Sequence, residues 1–274
     1  MSREPPHWRP RTILRFIDSK PTSTSIARVE TDVGEGFLKV LGNPAGPHAL
    51  ACEWVGTQLA ERLELATLDY ALIEVTEDDE IPLASGGYAR PGPAFITRAE
   101  KALEWGGGRS SLKRLTNPRD VAKLVAFDTW TLNCDRFAPE GIGRNPHRDN
   151  VLLSRERARR GKLVLKAIDH THCFTCGADL TPRLARIESV QAAGVYGLFP
   201  EFRPLLRRPD LVQACASLRQ IGNRALNAIV ASIPAPWEVT DSANAAMVDF
   251  LVRRADFVAG RLVGEVFGEG DFGF

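Results

Sequence analysis

The chain has 274 residues, 44% hydrophobic and 25% charged, an ordinary globular balance with length for one large domain or two lobes sharing a cleft. Its 35 basic and 34 acidic residues leave a formal charge of +1, which argues against a protein that mainly coats nucleic acid or an anionic membrane. No apolar run reaches the roughly 18 residues of a membrane helix. The polar start lacks the apolar core of a secretory signal. The five scattered cysteines read as reduced, and the expected compartment is the cytoplasm.

Residues 1–11, rich in arginine and proline, read as a flexible N-terminal arm. Residues 12–17 predict a first strand, and Pro21-Thr-Ser-Thr-Ser25 a hydroxyl-rich turn. Residues 26–30 and 36–41 predict two strands joined over Asp32, Val33 and Gly34. From 48 to 65 the pattern becomes helical, with Leu50, Val55, Leu59 and Leu63 at three-to-four spacing. A short apolar strand is expected at 70–75, an acidic turn at 77–80, a connecting strand at 94–97 and a flexible loop from Gly106. A long helix spans 117–133, with Pro118 in its first turn, where a missing N–H costs little. Strands at 151–153 and 163–168 form a hairpin, and helical patterns dominate beyond about residue 180. This is an α+β chain with no βαβ repeat: a small antiparallel lobe over 12–97, then a larger, mainly helical lobe over 98–274.

Phosphoryl transfer needs a cation over the phosphates, oxygen ligands for magnesium and a carboxylate for the attacking hydroxyl. Asn133-Cys-Asp135-Arg136 sits where the long helix ends and a loop begins. Fifteen positions on, Asn150 runs straight into the strand at Val151. Asp169 closes the strand Leu163-Val-Leu-Lys-Ala-Ile168. Each of these is also an ordinary turn former or cap; an Asp, an Asn and an Asp joined through one hairpin form a more specific signal. Upstream, Lys39 lies in an apolar strand, where burial demands a partner, and Glu53 in the next helix is placed to supply it. Ser23, Thr24 and Ser25 are candidates for a phosphate cradle, or a plain polar turn.

These segments resemble the HipA-like kinases, within the wider protein-kinase-like and phosphatidylinositol-kinase-like superfamily. The resemblance rests on Gly36-Phe-Leu-Lys-Val40, on the helix Ala51-Cys-Glu-Trp-Val-Gly-Thr-Gln-Leu-Ala60 and on Phe127-Asp-Thr-Trp-Thr-Leu-Asn-Cys-Asp-Arg136. It continues through Arg148-Asp-Asn-Val-Leu-Leu153, Ala167-Ile-Asp-His170 and Ile233-Pro-Ala-Pro-Trp237. It implies a two-lobed protein-kinase-like fold binding ATP and Mg²⁺ between the lobes. Lys39 would contact phosphate with Glu53 bracing it, Asp135 would be the catalytic base, and Asn150 and Asp169 would hold the metal. Phe95, Ile96 and Thr97 would form the hinge that reads adenine. The implied acceptor is a protein Ser or Thr, the kinase itself included. The alternative is a kinase-shaped module that binds nucleotide or a partner without turnover. The long Asp135–Asn150 loop makes Asn145 a rival metal ligand.

Two other constellations compete. His170, His172, Cys173 and Cys176 offer zinc-type ligands without a second Cys-x-x-Cys; small buried residues around Asp169 are the plainer reading. The run from Arg155 to Lys162 is a nucleic-acid candidate or a solvated hairpin turn. Neither a Gly-x-Ser-x-Gly elbow nor a P-loop occurs.

Overall fold

The computed structural model describes residues 8–22, 24–156 and 158–268. Strands β1 (Ile13–Lys20), β2 (Ile26–Thr31) and β3 (Gly34–Leu41) follow one another as an antiparallel meander. The β2–β3 turn has only Asp32 and Val33 between the paired residues Thr31 and Gly34. Gly34 takes φ 113° there, a backbone that a side chain would strain. Helix α1 (Pro47–Arg62) comes next, entered through a proline in its first turn. Strands β4 (Tyr70–Val75) and β5 (Arg90–Arg98) complete a five-stranded sheet in the order β1-β2-β3-β5-β4.

Period-two alternation gives this sheet two different faces. One face buries Val29, Leu38, Val40, Ile73 and Ile96 in a cluster that also takes in Trp8. The loose arm expected at the start of the chain is therefore tied down from residue 8. The indole is buried and its Nε1 donates to the Val33 carbonyl at 3.3 Å, because hiding a ring of that size outweighs ordering a few residues.

The other face of the sheet looks across a cleft at a second sheet. Strands β6 (Ala102–Glu104), β7 (Val151–Ser154) and β8 (Val164–Ala167) pair antiparallel in that order. Sequence pattern shows the β7–β8 hairpin and misses β6, whose three residues are too few for any period to register. The rest is helical: the single turn α2 (Arg109–Leu112), α3 (Asp120–Thr131), the single turn α4 (Ile187–Val190), α5 (Arg208–Gln220), α6 (Asn223–Ala231) and α7 (Asp241–Phe267). Pro118 precedes α3 rather than opening it, its carbonyl accepting the Val121 N–H at 3.3 Å. The Thr240 hydroxyl starts α7 by accepting the Ala243 N–H at 3.2 Å.

One core runs from α1 through α3 to α7, around Phe127, Trp130 and Phe250. Inside it Arg254 donates to the carbonyls of Thr129 and Trp130, capping α3, and to that of Val190. Burial pulls its guanidinium down to about 10, against the opposing pull of Tyr196 and Glu265. The helical lobe also grips the small lobe. Trp237 donates through Nε1 to Pro93 O on β5 at 2.9 Å, and Trp54 of α1 donates to the Ser232 hydroxyl at 2.8 Å. Among the described residues no helix is long and apolar enough to cross a membrane.

Candidate active site

The cleft between the sheets has a volume of about 440 Å³. Apolar Ile26, Phe37, Leu103 and Leu152 line part of it, beside the Lys20–Glu104 ion pair, and Lys39, Glu53 and Asp169 make a charged end with the amide of Asn150.

The charged end begins with Lys39, which β3 turns inward beneath α1. Its Nζ lies 2.7 Å from Glu53 Oε2 and 3.0 Å from Asp169 Oδ1. The same Glu53 oxygen accepts the backbone N–H of His170 at 2.9 Å. Burial alone would strip the proton from Lys39, but Asp169 and Glu53 outweigh it and hold the ammonium above its ordinary range. Burial likewise pushes the Asp169 carboxyl up, yet Lys39 and the Thr171 hydroxyl prevail and keep it well below the usual carboxylate range. Glu53, the deepest of the three, is raised by burial in spite of Lys39. The trio is thus a tightly coupled unit, one cation held between two acids.

The second half of the site is built on the end of α3. Leu132 takes a left-handed backbone, φ 54°, which stops the helix, and Asn133 then turns the chain by accepting the Asp135 N–H at 3.3 Å. Asn150 donates from Nδ2 to Asp135 Oδ2 at 2.9 Å. The β7–β8 register pairs Val151 with Ala167, and Ile168 N–H donates to Asn150 O at 3.2 Å. Asn150 and Asp169 are therefore brought to the same end of one hairpin. Asp169 itself takes φ 58°, a conformation that Asp tolerates better than most side chains.

Arg136 locks these pieces together. It is wholly buried, pairs with Asp128 of α3, and donates through Nε to Asn150 O at 3.2 Å and through Nη2 to Ile168 O at 2.7 Å. Burial raises the Asp128 carboxyl, opposed by Arg136 and Asn133. Neither residue is among the site residues the sequence suggests. The signal available is an arginine beside the candidate base with an acid eight positions upstream, on the helix that precedes it.

Several expected residues lie elsewhere. Asn145 is exposed and makes no side-chain hydrogen bond among those described, whereas Asn150 is buried against Asp135. Phe95, Ile96 and Thr97 are not a hinge: they sit mid-strand in β5, paired with Lys39, Leu38 and Phe37 on one side and with Leu72, Ala71 and Tyr70 on the other. A backbone used by two neighbours has no donor left for a base. Phe95 and Thr97 still line the cleft by side chain, while Ile96 points into the opposite core. The crossing between lobes falls at residues 99–101, and β6 is the edge strand that follows it. Thr24 and Ser25 are buried away from the cleft, Ser25 against Ser85 at 3.1 Å; Thr22 lines it instead. Ser23 lies outside the described residues.

The zinc reading also fails to assemble. Among the described residues no group of three or more His, Cys, Asp or Glu is placed to hold a metal. His170 is buried edge-on to Phe127, ring centroids 5.0 Å apart, and burial drives its pKa well below the ordinary value. Cys176 forms a disulfide with Cys134, Cα atoms 5.6 Å apart, correcting the expectation that every cysteine is reduced. The cysteines are 42 positions apart, and only folding brings the turn after α3 against the segment beyond Asp169.

Two lobes around a cleft, with a lysine, a helix glutamate and the Asn and Asp of one hairpin converging inside it, define the protein-kinase-like class. The chain belongs to the HipA-like kinase family, whose sequence pattern matches residues 34–267. Among solved structures it is similar to CtkA, a proinflammatory kinase of Helicobacter pylori. The TM-score is 0.58 at 12% identity, covering 96% of this chain and 100% of that one. At that identity the likeness speaks to the fold. No curated protein matches the chain.

Proposed function

We propose that this HipA-like kinase transfers the γ-phosphate of ATP to a protein Ser or Thr hydroxyl, with Asp135 as the base. The observation that carries this reading is the convergence of Lys39, Glu53 and Asp169 with the Asp135–Asn150 pair at one end of a single cleft. The apolar end, between Phe37 and Leu152, suits a flat purine. Lys39, held by Glu53, carries the charge that phosphates need.

The donor chemistry fits magnesium: Asn150, whose Nδ2 is used on Asp135, keeps its carbonyl oxygen, and Asp169 adds a carboxylate held ionised. These are hard oxygen ligands of the kind Mg²⁺ takes. When bound, the ion supplies positive charge that offsets the phosphate oxygens. Asp135 orients the acceptor hydroxyl and takes its proton, and Arg136 keeps the two metal-side segments from drifting apart.

The test is transfer of labelled γ-phosphate to the protein itself and to protein acceptors, by wild type, Asp135→Ala and Asp169→Ala. Both variants are expected to lose transfer while remaining folded. Equal transfer by variants and wild type refutes the roles. Thermal stabilisation by ATP with no transfer by wild type would assign the fold to a nucleotide-binding module instead.

A further inference from the structure

The segment between Asp135 and Asn150 makes an excursion and comes back onto the base. The His147 N–H donates to the Asp135 carbonyl at 3.2 Å and to that of Arg136 at 3.1 Å. Gly141 and Gly143, at φ 93° and 71°, bend the loop just before Arg144. The Arg144 guanidinium then lies over the base, Nη1 3.7 Å from Asp135 Oδ1. Its other arm, Nη2, donates to the Cys176 carbonyl at 2.7 Å. The side chain is thus held at one end, while the end facing Asp135 stands beyond hydrogen-bond reach with its donors unspent.

Among the described residues no other arginine or lysine forms an ion pair with Asp135, and Lys20 of the cleft is paired with Glu104. Lys39 is spent on Glu53 and Asp169. Arg136 is wholly buried, with donors on Asp128, Asn150 O and Ile168 O. In phosphoryl transfer the acceptor oxygen–phosphorus bond forms as the bond from γ-phosphorus to the β–γ bridging oxygen breaks. The acceptor's proton goes to the base, and ADP departs with the bond's electron pair. Negative charge spreads over three equatorial oxygens close to the base, and a preorganised cation there is worth much in rate.

The geometry points to Arg144 as a catalytic residue whose guanidinium contacts the phosphoryl group in transit beside Asp135. This rests on the kinase reading above. It gives the long loop a purpose: the loop delivers to the base a cation that the Asp135-Arg136 dipeptide cannot supply, since its own arginine is consumed in the core. Arg144 also lines a second concavity, with Phe137, Val195 and Leu198, that shares no lining residue with the nucleotide cleft.

The experiment measures transfer by wild type, Arg144→Ala, Arg144→Lys and Asp135→Ala, and binding of a non-hydrolysable ATP analogue by each. Arg144→Ala is expected to slow transfer about 10²- to 10³-fold while analogue affinity stays within about threefold. Arg144→Lys should retain part of the rate, and free guanidinium ion should restore part of it to Arg144→Ala but none to Asp135→Ala. The proposal is overturned if Arg144→Ala transfers within about threefold of wild type while Asp135→Ala is dead. It is also overturned if the rate falls only in step with analogue affinity, or if guanidinium rescues nothing. Transfer by Asp135→Ala at the wild-type rate would instead sink the underlying site assignment, and the Arg144 role with it.

Discussion

Replacing Arg136 by methionine tests the bracing role assigned to this side chain. The guanidinium is fully buried and pairs with Asp128, itself fully buried, while donating to two backbone carbonyls from different segments. Removing one partner of such a pair leaves an uncompensated charge in the core, which costs about 3–5 kcal/mol. Against a total of about 5–15 kcal/mol for a domain, that is a large share. Urea unfolding should show the loss as a lower midpoint at unchanged slope. Two controls separate charge from volume. The double variant Asp128→Asn/Arg136→Met should recover about 1–3 kcal/mol, because the stranded carboxylate is gone. The single variant should also suffer less at low pH. Burial already raises the Asp128 carboxyl, and a group whose folded pKa lies above its unfolded value is destabilising only as pH rises through the folded one. A single variant within about 1 kcal/mol of wild type, or a double variant no better than the single, would refute the argument.

Three further outcomes follow from the same structure. At Gly56 of α1 a Cβ would stand 2.6 Å from His170 Cβ, so Gly56→Ala should destabilise by about 1–3 kcal/mol and weaken ATP-analogue binding by shifting Glu53; the roughly 1 kcal/mol gain that helix propensity alone predicts would refute the close approach. His170 is buried neutral, so below about pH 6.5 the unfolded chain takes up a proton the folded chain refuses. Stability should then fall by about 1.4 kcal/mol per pH unit more than in His170→Phe, and parallel urea-midpoint profiles for the two proteins would contradict this. Alkylation of the unreduced, denatured chain should label the three free cysteines, Cys52, Cys173 and Cys215, and reduction should add Cys134 and Cys176; five labels without reductant would contradict the pairing.

The sequence is legible where chemistry leaves few choices. Lys39 in an apolar strand needs a counter-charge whatever the fold, and Glu53 of the following helix α1 supplies it. The placement of Asn150 and Asp169 is legible because each abuts a strand whose buried, apolar positions fix the register of the hairpin, despite the long connection over 155–163. The hinge is not legible in the same way. Phe95, Ile96 and Thr97 have the β-branched and aromatic character of a strand, and sequence shows that a segment is extended without showing how many neighbours it pairs with. Only the sheet order, with β5 between β3 and β4, reveals that its backbone is fully used.

The sequence by itself determined the residue types that phosphoryl transfer demands, their order and the elements that carry them, since periodicity, caps and turn chemistry act over a few residues. Tertiary structure alone decided which buried arginine holds the site together, which loop cation faces Asp135 and which cysteines meet. Arg136 and Arg144 are eight residues apart with the same side chain. One became a core brace and the other a part-exposed loop cation because long-range packing, and no local rule, settles which guanidinium is enclosed by Asp128 and two carbonyls and which is left facing Asp135.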